Sequence, residues 1–176
     1  MSARVGQIDL GIITPYIQVY KQTSIEAYQD IFEGNRHRIY SLAFWMTDNE
    51  MAAEEVMTSV FRRAFAQSPK PTAEHIDRAL VTEIREIMPI GSLTLESETV
   101  TTTSGVRRNT KRIHLERAVV QLPGTERLIF LMHDVEGYDH PRIARTLAIS
   151  EVESREGLFQ ARLKMRKLIA EMTENS

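Results

Sequence analysis

Residues 139–169, DHPRIARTLAISEVESREGLFQARLKMRKLI, decide the reading of this chain. Asp139 is placed to N-cap a helix, and Pro141 suits its first turn, where the backbone N–H groups have no intrahelical partner. Ile143, Ala144 and Leu147 give that helix one apolar stripe. Ala148, Ile149 and Ser150 leave room only for a turn. Ser150 and Glu153 then form an S-x-x-E capping box, which starts a second helix. Leu158, Ala161, Met165 and Leu168 step by three, four and three and predict its buried face. Its other face carries Arg155, Arg162, Lys164, Arg166 and Lys167. A helix, a tight turn and a basic second helix is the geometry that lays a helix in a DNA major groove. A helical hairpin with a solvated basic face fits the same pattern.

The chain has 176 residues, enough for one or two small domains with real cores. It has no cysteine, which excludes disulfides, thiolate metal sites and a cysteine nucleophile. No apolar run approaches the roughly 18 residues of a membrane span, and no secretory leader is visible, so the expectation is a cytoplasmic protein. From Arg107 onward there are 13 Lys and Arg against 10 Asp and Glu, a net +3. The preceding residues hold the remaining 9 and 14, a net −5. A basic C-terminal half suits a polyanion, and an acidic N-terminal half suits a protein partner.

Upstream, residues 1–22 are apolar and interrupted at Pro15, which argues against a continuous helix there. Thr23 with Glu26 predicts a helix start, with Tyr28, Phe32, Asn35, Ile39, Leu42 and Met46 as its core stripe. Thr47 with Glu50 predicts the next start. That helix places Ala53, Val56, Met57, Val60, Ala64 and Phe65 inside and ends at Ser68-Pro69. A third helix places Ile76, Leu80, Ile84 and Ile87 inside and stops at Pro89 and Gly91. Three helices with short connections make a small bundle. Residues 88–110 have no sustained period and are rich in Thr, Ser and Gly, as a linker is. The helical pattern resumes with Leu115, Ala118, Val119 and Leu122, and again after Pro123-Gly124 with Leu128, Leu131, Met132 and Val135.

Chemistry-bearing patterns are sparse. His37, His75, His114, His133 and His140 are scattered, and no pair has the i, i+4 spacing of a helical metal site. There is no Gly-rich phosphate loop and no G-x-S-x-G. Glu54 and Glu55 are adjacent and diverge by about 100° on a helix. Trp45 beside Phe44 reads as core or helix-contact surface rather than as a base-stacking platform. Neither an enzyme nor a cofactor is indicated.

Beyond these patterns, a family resemblance covers about 55 residues at the C-terminal end. Leu122-Pro123, Arg127 to Leu131, Asp134-Val135-Glu136-Gly137-Tyr138, Ile143-Ala144, Leu147, Ile149-Ser150 and Leu158-Phe159-x-Ala161-Arg162-x-Lys164-Met165-Arg166 resemble region four of bacterial sigma factors. The nearest class is the extracytoplasmic-function (ECF) sigma factors. In that family the recognition helix reads V-K/R-S-R-L-F-R-A-R. Here Ser154 to Arg162 keep Arg155 and Phe159 but place Glu156, Gly157 and Gln160 where Ser, Arg and Arg stand. A Glu repels phosphate yet accepts from a cytosine amino group, so altered preference and weakened binding are both implied. Gly157 inside a helix costs about 1 kcal/mol relative to Ala. Ser154 falls where the core stripe calls for an apolar side chain.

The N-terminal bundle resembles sigma region two through Tyr40-x-Leu42-Ala43, Met46-Thr47-x-Asn49, Ala53-Glu54-Glu55-Val56 and Val60-Phe61-x-Arg63-Ala64-Phe65. There the resemblance implies docking on RNA polymerase core and capture of unpaired promoter bases. Glu55 stands for the family's Asp and Thr58 for its Gln. The third helix, Ala79 to Glu86, lacks the family's Trp, Asn and Arg cluster, and single-strand capture needs stacking platforms and cations.

The expectation is thus an all-α protein of two small helical domains: an extension at 1–22, a region-two-like bundle at 23–88, a flexible linker at 89–110 and a region-four-like helix-turn-helix domain at 111–176. Glu96 and Glu98 fit a linker that threads the polymerase, and a plain tether fits equally. The implied DNA contacts are Arg142, Ser150, Arg155, Glu156, Phe159, Gln160 and Arg162, and the implied polymerase contacts are Glu54, Glu55 and Thr58. Two functions follow from the resemblance. One is an ECF-type sigma factor, with RNA polymerase core and promoter DNA as partners. The other is a sigma-mimicking interaction module that binds an anti-sigma factor without reading promoters.

Overall fold

The computed structural model describes the backbone of residues 10–94 and 112–174, and the side chains of 25–94 and 112–173. Expectations for residues 1–9, for Glu96 and Glu98, and for most of the linker lie outside these. Among the described residues there are seven α-helices and no strand. They are α1 (Leu10–Thr47), α2 (Glu50–Gln67), α3 (Ala73–Ile87), α4 (Arg112–Val120), α5 (Gly124–Phe130), α6 (His140–Leu147) and α7 (Glu151–Glu174), with a π-helical segment, Leu131–Val135, prolonging α5.

Three local expectations need correction. First, α1 runs unbroken through Pro15 and Thr23 for 38 residues. Pro15 removes one hydrogen bond, which a helix of this length carries as a local defect. Because the helix is already running at Thr23, no orphan N–H groups await the Thr23–Glu26 capping box. Second, α2 is capped by Asn49 and not by Thr47. Asn49 accepts from the Ala52 N–H at 2.9 Å, while the Thr47 hydroxyl donates to the Ala43 carbonyl at 2.9 Å. Asn outranks Thr as a cap, and Asp48 takes a left-handed φ of 52° to complete the turn. Third, Leu115 of α4 is exposed and its neighbour His114 is buried, while Ala118, Val119 and Leu122 lie inside as expected. Ile87 of α3, Tyr28 of α1 and Val135 after α5, all expected inside, are also exposed.

The remaining core follows the stripes. Ile39, Leu42 and Met46 of α1 meet Val60, Phe61 and Ala64 of α2 and Ile76, Leu80 and Ile84 of α3. Rings extend this seam: Phe32 lies 4.7 Å from Phe61, and Tyr28 lies 4.2 Å from Phe65. Both pairs are tilted, by 58° and 32° in turn, and aromatic pairs of this kind add to area burial. Further along the chain, Leu128, Ile129, Leu131 and Met132 pack with Ile143, Leu147, Leu158 and Ala161.

The two halves also touch. Arg127 of α5 donates to the carbonyls of Val120 and Leu122, and reaches across to the Met46 carbonyl at the end of α1 (3.1 Å). Residues 88–94, which follow α3, lie on the C-terminal half. The Gly91 N–H donates to Thr125 Oγ1 at 3.1 Å, and the Thr94 N–H donates to the fully buried Glu126 carboxylate at 2.6 Å.

Candidate nucleic-acid interface

The α6–turn–α7 unit forms as its caps dictate. Asp139 accepts from the Arg142 N–H at 2.8 Å, with Pro141 in the first turn. Ala148 ends α6 in the left-handed conformation (φ 55°, ψ 46°). Ser150 and Glu153 close the capping box in both directions: the Glu153 N–H donates to Ser150 Oγ at 3.1 Å, and the Ser150 N–H donates to the Glu153 carboxylate at 2.7 Å. The backbone hydrogen bond from Ser150 holds the Glu153 carboxyl below its ordinary pKa. The buried face of α7 is Leu158, Ala161, Met165 and Leu168, as the stripe predicts. Ser154, fully buried beside it, is satisfied by the His140 ring at 3.0 Å. That polar position is therefore a second tie between the two helices.

What faces outward on α7 is Val152, Arg155, Phe159, Arg162 and Arg166, again stepping three, four, three and four. Val152 is 71% exposed and Phe159 48% exposed, unusual for apolar side chains on an otherwise charged helix. Arg155 pairs with Glu151 one turn back at 2.9 Å. Arg162 forks onto Asp134 at 2.9 and 2.6 Å. Burial works against the Asp134 charge, but Arg162 and His133 outweigh it and its pKa ends lowered. The His133 ring stacks on that of His140, centroids 4.8 Å apart, so two histidines scattered in sequence meet in space.

The other DNA-contact positions lie differently. Ser150 is exposed, its hydroxyl occupied by Glu153 at 2.7 Å. Gln160 is 3% exposed and donates to Glu156 at 2.7 Å. At Gly157 a Cβ would come within 2.6 Å of Ile129 Cδ1 and 2.8 Å of Leu93 Cδ2. The glycine thus has a packing reason that propensity alone does not supply: α5 and Leu93 close over it. Arg142 turns away from α7 and donates to Asp77 of α3 at 2.6 Å.

Asp77 is the residue the sequence patterns missed. It is fully buried, and it accepts from Arg38 of α1, from Arg142, and from the Tyr138 hydroxyl at 3.0 Å. Arg38 donates also to Tyr138, and the Arg142 guanidinium lies 3.6 Å above the Tyr138 ring centroid. Burial, and then the Asp77 charge, push the Tyr138 phenol well above its ordinary pKa, so it stays protonated and donating. The only sequence signal was Asp77 falling next to Ile76 on the apolar side of α3. Glu54, Glu55 and Thr58 line up on the exposed side of α2.

Residues 112–165 match the family model of sigma-70, region 4, which is 54 of the 176 residues. Residues 112–165 are thus similar to sigma-70 region 4, and the chain is sigma-factor-like, which supports a DNA-binding role in transcription. No curated protein matches the chain. Among the described residues no helix is long and apolar enough to cross a membrane.

Proposed function

We propose that this protein is a cytoplasmic ECF-type sigma factor, which docks on RNA polymerase core through α2 and reads promoter duplex through α7. The observation that carries the reading is the outward stripe of α7, Arg155–Phe159–Arg162, on a unit whose caps and core are those of a helix-turn-helix. An arginine fork reads guanine, and an exposed ring meets a thymine methyl or a sugar edge. In a salt titration of duplex binding, Arg155→Ala should cost about 1–3 kcal/mol at a preferred site, the size of one good base contact. Glu156→Ser should tighten non-specific binding, because a charge that repels phosphate is removed, whereas Gln160, 3% exposed, is not a position from which an added cation would reach DNA.

For the polymerase, Glu55→Arg should weaken pull-down of the core enzyme while leaving thermal unfolding nearly unchanged, because Glu55 is exposed. An undiminished pull-down would move the docking surface elsewhere or remove the protein from the working sigma factors.

A second reading, a sigma-shaped module that binds an anti-sigma factor, is favoured by one specific observation. Gln160, Gly157 and Arg142 all face protein. Under that reading the wild type shows no salt-dependent duplex binding, and Arg155→Ala changes nothing.

A further inference from the structure

Between α3 and α6 the surface opens into a cleft of about 110 Å³, lined by Glu74 and Arg78 of α3 and by Arg145 and Thr146 of α6. We infer that this cleft is a binding site for inorganic hydrogen phosphate, which there bridges the two halves of the chain. The site is independent of how α7 meets DNA and holds under either function proposed above.

Two cations line the cleft with donors to spare. Arg78 donates through Nε to the Glu74 carbonyl at 3.4 Å, and its Nη1 and Nη2 groups have no partner among the described residues. Arg145 reaches the Glu74 carboxylate only at 3.5 Å, the outer limit of a hydrogen bond. By contrast, Arg162 forks onto Asp134 at 2.9 and 2.6 Å. The second observation is Thr146. It is 7% exposed, yet its hydroxyl has no partner among the described residues. Thr47, Thr82 and Thr173 each return theirs to the carbonyl four residues back, at 2.8–3.0 Å. A buried hydroxyl without a partner is destabilising, and an anion in the cleft relieves it.

Arginine forks take one tetrahedral oxyanion much like another, so the cations alone would not choose among anions. Glu74 makes the choice. Its carboxylate at the rim accepts hydrogen bonds and donates none. Sulfate at neutral pH carries no proton and meets Glu74 as a like charge. Inorganic phosphate keeps a proton on one oxygen even as its dianion. That O–H donates to Glu74, while the other oxygens accept from Arg78, Arg145 and Thr146. A phosphomonoester loses its last proton near a pH of about 6 and is turned away like sulfate above it. The deeper acid of the same contact, Asp77, is already neutralised by Arg38 and Arg142. Volume agrees: one water needs about 10–15 Å³ of such space, so the cleft holds several, or one tetrahedral ion with its remaining waters.

The test titrates the full chain by calorimetry, above the phosphomonoester pKa and at constant ionic strength, with inorganic phosphate, sulfate and phenyl phosphate. The expected result is saturable binding of phosphate at one site, about tenfold or more tighter than either other anion. Glu74→Gln, which can donate to an unprotonated oxygen, should bring sulfate and phenyl phosphate to near parity with phosphate. Arg145→Ala should weaken phosphate about tenfold or more, the loss of one charged hydrogen bond. Glu74 and Arg145 are exposed, so these substitutions leave folding intact. In parallel, phosphate should raise the thermal midpoint of the wild type more than equal sulfate does, a comparison that removes the general stabilisation both salts give. Arg145→Ala should abolish that difference. Absence of saturable phosphate binding overturns the site. Phosphate binding that Arg145→Ala leaves unchanged overturns it too, since the ion then sits elsewhere. Equal binding of sulfate and phosphate by the wild type overturns the assignment to hydrogen phosphate.

Discussion

Arg127→Met should lower the unfolding free energy by about 3 kcal/mol or more in a urea titration, because it strips a charged donor from three backbone carbonyls, and a hydrogen bond to a charged group contributes about 1.5–3 kcal/mol. Arg127 serves the carbonyls of Val120 and Leu122, where α4 ends, and that of Met46, where α1 ends. Burial lowers its pKa, yet an arginine remains charged throughout the neutral range. Methionine fills similar volume without a donor, so the loss reports the hydrogen bonds and not a cavity. Arg127→Lys should recover only part of it, since one ammonium does not span carbonyls spread over two helix ends. Full stability in Arg127→Met would mean that water replaces the guanidinium without cost.

Leu80→Ala should cost about 2–5 kcal/mol by the same measurement, the range for a leucine deleted from a packed core. Leu80 has no exposed surface and sits on α3 between α1 and α2. Against a total stability of about 5–15 kcal/mol, that leaves a marginal bundle. A cost below about 1 kcal/mol would show that α3 is loosely packed.

The reading of the helix-turn-helix from sequence succeeded where signals were local. Asp139, and Ser150 with Glu153, act within three residues of their partners, and the α7 stripe repeats over ten residues. It failed where two local signals competed. Thr47 and Asn49 both resemble caps, and the choice fell to the residue whose backbone is extended. At α4 the sequence offers His114 and Leu115 side by side, and packing turned the less apolar one inward. Pro15 showed the converse, a strong breaker overridden by the helix around it. The Asp77 cluster was out of reach altogether. Arg38, Asp77 and Arg142 are separated by 39 and 65 positions, and no periodicity links a charge to its distant partner. Gly157 looked like a helix weakness because the atoms that require it, on Ile129 and Leu93, come from elsewhere in the chain.

The π-helical segment at Leu131–Val135 bears on how this region tolerates changes of length. Its wide turn, closed by the Glu136 N–H on the Leu131 carbonyl at 3.0 Å, holds one residue more than an α-turn does. Deleting one residue there would let an ordinary α-helix continue with its hydrogen bonds intact, so the deletion looks harmless when judged by secondary structure. Every residue beyond it would nonetheless swing by about 100° around the helix axis. Tyr138 would then leave Asp77, and α6 would start from a different side of α5. The surplus residue works as a phase setter: at the less buried positions His133, Asp134 and Val135 a substitution disturbs less than a change in length, while Leu131 and Met132 are held by the core.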